Sequence, residues 1–171
     1  MKTVKTSKVL FWFFGNLIPL IPNTRLYGLK SMLYRWCGVK IGKHTRIHSK
    51  AIFDNTNIVI GENSFIGGYV RVIGHDDASV NIGDNCDIGP NCLLVTGTHE
   101  LSQDASRRAG IGVAKPIHIG NGVWIGANVT VLPGVTVGNG AMIGAGSLIT
   151  QNIQDNVMAY GVPAKVVRKI E

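Results

Sequence analysis

Acidic residues are missing from the first 50 positions of this 171-residue chain, although that stretch holds ten of its 17 Lys and Arg. Charged residues amount to only 16%, against about 25% in an average soluble domain. Three cysteines are too few for a disulfide scaffold, and Cys37, Cys86 and Cys92 show no metal or redox spacing. That pattern fits a reducing cytoplasm. Six prolines beside 22 glycines exclude collagen and a Pro-rich disordered tail, and the glycine excludes a long coiled coil. The longest apolar run, Val9 to Ile21, is broken by Gly15, Asn16 and Pro19. It falls short of the roughly 20 residues that span a bilayer. What is left is a glycine-punctuated aliphatic chain, long enough for one domain and suited to many short strands with tight corners.

The charge is lopsided: +10 over residues 1–50 and −3 over the rest, which together make the chain's +7. Such a basic end suits a phosphate-bearing surface or ligand. No Cys/His finger or aromatic RNA-binding pattern accompanies it, so nucleic acid is not expected as a partner. Lys2, Lys5 and Lys8 ahead of the apolar run resemble a signal peptide, but Pro22-Asn23-Thr24-Arg25 follows where a small-residue cleavage site belongs. Two readings remain for residues 1–38. One is a helical cap on the open end of the domain, and the other is that same cap docked at a membrane interface.

Internal repetition decides the fold class. Large apolar residues recur every six positions: Ile41, Ile47, Phe53; Ile60, Ile66, Val72; Ile82, Ile88, Leu94; then Ile119, Ile125, Val131, Val137, Ile143, Ile149. Nine of these fifteen are followed by glycine, and four residues after each start comes a smaller or branched residue such as Thr45, Ser64, Cys86, Cys92, Val129 or Ala141. A period of six fits neither a helix nor a long alternating strand. It fits a two-residue strand and a corner, repeated, with one large and one small side chain inward per step. Cys86 and Cys92 fall on the small inward positions, so packing accounts for them.

The repeat, with Pro116-Ile117-His118-Ile119-Gly120-Asn121-Gly122-Val123-Trp124-Ile125-Gly126, Leu132-Pro133-Gly134-Val135 and Gly161-Val162-Pro163-Ala164-Lys165, resembles the hexapeptide-repeat acyltransferases. It looks most like the maltose, galactoside and surface-polysaccharide O-acetyltransferase branch. The resemblance implies an all-β left-handed parallel β-helix of about five coils over residues 39–155, followed by a coenzyme-contacting tail over residues 156–171. It also implies acetyl-CoA as co-substrate, no metal, and a homotrimer with active sites between neighbouring prisms. The left hand comes from the resemblance alone, since the general preference is for right-handed crossovers.

The series breaks by one residue near Val59, by four at Ala78–Asn81 and by nineteen between Glu100 and His118. A long excursion from a regular repeat is where function concentrates. His99 opens it, and the resemblance makes His99 the catalytic base of the loop 100–118. The chemistry suits an imidazole, because a sugar hydroxyl needs its proton removed as it attacks a thioester. The resemblance further implies the Ala127 N–H as donor to the tetrahedral oxyanion. It places Ala145 and Thr150 near the coenzyme arm, and Lys165 and Arg168 near its phosphates. Two departures stand out: Gln151 replaces a Lys, and Lys165 an Arg. For the acceptor, Trp124, Gly68, Tyr69 and Arg71 are the candidates. Gly68 stands where maltose and galactoside members carry Asn, which argues against those two sugars. Asp76, Asp77, Glu100, Asp104, Arg107 and Arg108 are either sugar ligands or ordinary loop charges.

The expected function is acetyl transfer from acetyl-CoA to a hydroxyl of a surface polysaccharide, a lipopolysaccharide or its lipid-linked precursor, in the cytoplasm or at the inner face of the membrane. An N-acetyltransferase of a nucleotide-linked amino sugar and a non-catalytic β-helix scaffold are the alternatives.

Overall fold

The structure is a computed structural model and describes residues 8–54 and 57–170. Short strands stack into a three-sided prism. Face I is Lys40–Ile41, Ile58–Ile60, Val80–Ile82, Ile117–Ile119 and Thr136–Val137, all parallel. Face II follows one corner later with Arg46–Ile47, Phe65–Ile66, Asp87–Ile88, Trp124–Ile125 and Met142–Ile143. Face III completes each coil with Ile52–Phe53, Arg71–Ile73, Leu93–Val95, Thr130–Val131 and Leu148–Ile149. Five coils result, as the six-step period predicts.

All fifteen large residues of the period are buried, and so are the small ones, including Thr45, Ser64, Cys86, Cys92 and Ser147. Each buried aliphatic removes about 1.5–3 kcal/mol worth of apolar surface from water, so the core is a column spread evenly along the axis. The inward hydroxyls and thiols close on backbone: Ser64 Oγ donates to Gly83 O at 2.9 Å, Cys86 Sγ to Gly120 O at 3.0 Å and Cys92 Sγ to Gly126 O at 3.0 Å. Burial raises both thiol pKa values, consistent with unreactive packing.

The edge between faces I and II carries a ladder that the six-step period does not reveal. Asp84 Oδ1 accepts from the Glu62 amide at 2.6 Å, Asn121 Oδ1 from Asp84 at 2.9 Å, Asn139 Oδ1 from Asn121 at 2.9 Å and Asp155 Oδ1 from Asn139 at 2.8 Å. From the second coil to the fifth, each corner amide is thus closed by a side chain of the next layer. The glycine preceding each closed amide is what lets the rung approach: a Cβ on Gly120 would stand 2.8 Å from Asn139 N and Oδ1. The corners also need left-handed backbone, which Asn63, Asn85, Asn91 and Asn128 supply. Asn tolerates that conformation better than most residues. His44, at φ 58°, and Tyr69, at φ 60°, are the bulky exceptions among the prism corners.

Every insertion lies at the edge between faces III and I. Val80 and Asn81 belong to a strand, so the four added residues sit earlier than their spacing suggests, in the turn between Ile73 and Val80. The single extra residue likewise precedes the strand Ile58–Ile60. Added residues go where the chain turns, because a strand position would break the ladder. The nineteen-residue excursion is a folded antiparallel hairpin of Gly97–Leu101 and Ala109–Ala114, and Ile117 is already back on the prism.

At the first-coil end, helix α1 (Lys8–Leu17) leads through a 3-10 turn (Ile18–Leu20) to helix α2 (Tyr27–Trp36), which packs on the first strands of faces I and II. Ile18, Leu33 and Tyr34 join the core. Buried Lys30 donates to Asn23 O at 2.8 Å and Pro22 O at 3.4 Å, which ties down the turn before α2. Desolvation lowers its pKa. Among the described residues no helix is long and apolar enough to cross a membrane. At the other end, Val157–Gly161 pairs parallel with face II and antiparallel with Ala164–Lys169, so the expected tail is a hairpin.

Candidate active site

The hairpin springs from the prism at Thr96, whose amide donates to Ile73 O at 3.0 Å and whose carbonyl accepts from Lys115 at 2.8 Å. Its tip is ordered by its own polar groups. Asp104 Oδ1 accepts from the Ser106 amide at 2.9 Å and hydroxyl at 2.8 Å, which holds this carboxyl below the usual Asp pKa. Arg108 reaches the carbonyls of Ser102 and Gln103, both at 3.3 Å. Asp104 and Arg108 therefore shape the loop.

His99 sits opposite Gly112 on the hairpin, with its exposed ring over that glycine: a Cβ there would lie 3.9 Å from His99 Nε2. The ring makes no hydrogen bond to another described residue. A cavity of about 450 Å³ opens beside it, lined on the hairpin by Gly97, Thr98, His99 and Gly112, and on the prism by Gly74, His75 and Asp77. His75 Nδ1 lies 2.8 Å from Asp77 Oδ2. This is a small-molecule-sized hollow with one open imidazole and one imidazole–carboxylate pair converging on it. His75 has the weakest sequence signal of the three, because nothing before folding ties a turn in the second coil to a loop that leaves the third.

The other candidates lie elsewhere on the prism. Gly68 and Tyr69 occupy the edge between faces II and III in the second coil, and Ala127 and Ala145 continue that edge in the fourth and fifth coils. The amides of Ala127 and Ala145 donate to no described residue, and the corner between them is narrow: a Cβ on Gly126 would stand 2.7 Å from Ala145 N. Small side chains and open amides there suit an extended polar arm. Exposed Trp124 and Arg71 lie on faces II and III. Exposed Thr150 shares the His99 edge two coils further on. Exposed Lys165 and Arg168 lie on the terminal hairpin, opposite Tyr160 and Met158. None of these residues lines the His99 cavity within one chain.

Gly68 has a local explanation. A Cβ there would press on the His48 ring at 3.0 Å, and His48 Nδ1 is held as an acceptor by the Lys50 amide at 3.2 Å. Burial, then Lys30 and Lys50, lowers the His48 pKa, so the neutral ring fills the place that an Asn side chain would need. Among the described residues no cluster of His, Cys, Asp or Glu is placed to hold a metal ion.

Residues 116–151 match the family model "Bacterial transferase hexapeptide (six repeats)", and residues 57–96 match "Hexapeptide repeat of succinyl-transferase". Galactoside O-acetyltransferase of Escherichia coli (strain K12) is 40% identical over 165 residues, covering 96% of this chain and 77% of that enzyme. The chain belongs to the hexapeptide-repeat acetyltransferases. A hexapeptide-repeat acetyltransferase of Vibrio cholerae O1 biovar eltor, solved with acetyl coenzyme A, superimposes with a TM-score of 0.79 at 28% identity over 99% of this chain and 91% of that one. Polysialic acid O-acetyltransferase of Escherichia coli O1:K1 / APEC is 34% identical over 132 residues, covering 77% of this chain but 43% of that enzyme. The hexapeptide-repeat prism is accordingly the left-handed parallel β-helix, and this protein is an acetyl-CoA-dependent O-acetyltransferase.

Proposed function

We propose that this acetyltransferase acts on a hydroxyl of a surface polysaccharide or of its lipid-linked precursor, with His99 as general base. The observation that carries the mechanism is the His99 ring, which has no hydrogen-bond partner among the described residues and lines a hollow of about 450 Å³. His99 takes the proton of the acceptor hydroxyl as that oxygen attacks the thioester carbonyl. The tetrahedral oxyanion forms beside the unengaged Ala127 N–H. When the carbon–sulfur bond breaks, the departing coenzyme A sulfur receives the proton from His99. His75, Asp77, Tyr69, Arg71 and Trp124 orient the sugar. Ala145 and Thr150 flank the coenzyme arm, and Lys165 and Arg168 meet its phosphates.

The site is completed by a neighbouring copy in a homotrimer. Within one chain His99 occupies the edge between faces III and I, whereas Ala127 and Ala145 occupy the edge between faces II and III. Two copies bring those edges together, and one copy does not. Co-expressing His99→Ala with Ala145→Trp tests this directly. Each variant alone is inactive, and a random mixture restores about one quarter of the sites if the two edges come from different chains. No recovery means that each chain holds its own site.

Thiol release measured against polysaccharide fragments, lipid-linked oligosaccharides and UDP- or dTDP-linked amino sugars tests the acceptor. Turnover confined to the amino sugars would replace this reading with N-acetylation.

A further inference from the structure

Helix α1 is apolar on both sides. Phe11 and Phe14, followed by Ile18, pack toward the core, while Leu10, Trp12, Phe13 and Leu17 face outward, joined by Leu20 from the 3-10 turn. Trp12 is 69% exposed, Phe13 54% and Leu20 79%. A helix that is apolar all round is normally covered on every side, so this outward face expects a cover.

The same end of the prism supplies a second, independent feature. A cavity of about 460 Å³ lies between α2 and the first coil, lined by Tyr27, Ser31, Arg35, Lys43, His44 and Arg46. Arg35 spends Nε and one Nη on Ile41 O and Gly42 O, each at 2.9 Å, and Arg46 rests over the Phe65 ring at 5.2 Å. Among the described residues none of Arg35, Lys43 and Arg46 meets a carboxylate, and residues 1–50 contain none to offer. A polar hollow bearing three uncompensated cations is built for an anion.

We propose that this end of the protein docks on an anionic lipid membrane: the outward face of α1 enters the interface, and the basic hollow beside α2 takes a lipid phosphate headgroup. Charge selects the occupant. A second copy meeting this face through the same face would set Arg35, Lys43 and Arg46 against their own counterparts, whereas an anionic leaflet attracts all three. Aromatic and branched aliphatic side chains beside Lys and Arg are the composition of an interfacial helix. The inference is independent of the catalytic reading, because docking requires neither His99 nor a particular acceptor.

Co-sedimentation of the full chain with phosphatidylglycerol-containing vesicles and with pure phosphatidylcholine vesicles tests it. Binding is expected to the anionic vesicles, falling steeply with added salt. Trp12→Ser with Phe13→Ser lowers the partition coefficient about tenfold. Lys43→Gln with Arg46→Gln lowers it roughly tenfold or more at low salt and flattens the salt dependence. Thiol release with a soluble acceptor stays unchanged in both double variants, which shows them folded. In a Trp36→Phe, Trp124→Phe background the Trp12 fluorescence shifts to the blue on vesicles, a readout that needs no change at the docking face. Equal binding to neutral vesicles overturns the proposal. So does binding of inorganic phosphate without binding of vesicles, or light scattering that reveals self-association abolished by Trp12→Ser with Phe13→Ser.

Discussion

The edge between faces I and II turns five times without an added residue, whereas the edge between faces III and I holds all three insertions, of one, four and nineteen residues. The first edge is locked by side-chain rungs from Asp84, Asn121, Asn139 and Asp155 onto the amides of the preceding coil. At the second, Asn57 Nδ2 donates to Asp76 O at 3.2 Å and Asn152 Oδ1 accepts from the Thr136 amide at 2.8 Å, and between those ties the His99 hairpin and the His75–Asp77 pair assemble a hollow. A stacked prism thus separates its tasks by edge: a continuous ladder leaves no room for an extra residue, and an edge tied only in places lets the chain wander and return.

Changes at the two edges should therefore part cleanly. The largest effect is His99→Ala, expected to lower kcat about 10²–10⁴-fold while thermal unfolding stays within a degree or so of wild type, since the ring is exposed and unbonded. A matching loss of stability would make His99 a structural residue. Gly120→Ala does the reverse. Its Cβ meets the Asn139 backbone and side chain at 2.8 Å, so stability should fall by about 1–3 kcal/mol, read as a drop of several degrees in Tm with kcat nearly intact. Tyr69→Asn sharpens the contrast from the third edge. Relieving a bulky residue at φ 60° should stabilise the protein by about 1 kcal/mol while raising KM for the acceptor. A stabilised variant with unchanged KM would remove Tyr69 from the acceptor site.

The smallest effect concerns the hairpin tip. Hydrogen bonds from Ser106 depress the Asp104 pKa, so its ordering contribution is complete above the ordinary Asp pKa of about 3.9 and fades as pH falls through the lower folded value. Amide exchange at Ser106 should speed up over that acidic window, and Asp104→Asn should remove the pH dependence.

Much of the fold was legible because its signal is periodic. Ile82, Ile88 and Leu94 announce three faces by spacing alone, and the fifteen large residues all prove buried. The ladder is written less plainly: Gly83-Asp84, Gly120-Asn121 and Gly138-Asn139 recur, but what each closes is an amide about one coil earlier, a partner no local pattern names. His99 was legible from the break it opens. His75 was not, and Asp77 was one of six loop charges with nothing to single it out, because stacking brings the second coil beside a hairpin from the third. Gly68 was misleading as an isolated mismatch, since its meaning lies in the His48 ring stacked beneath it.

The rungs run one way, each corner from the second coil on being finished by a side chain from the next layer. During synthesis the newest layer is therefore always incomplete, and it closes only once another 16 to 37 residues have emerged and turned. Growth of the column resembles roofing, in which every course is fastened by the one laid over it. Asp155 drives the last nail, reaching Asn139 before the closing hairpin covers the top.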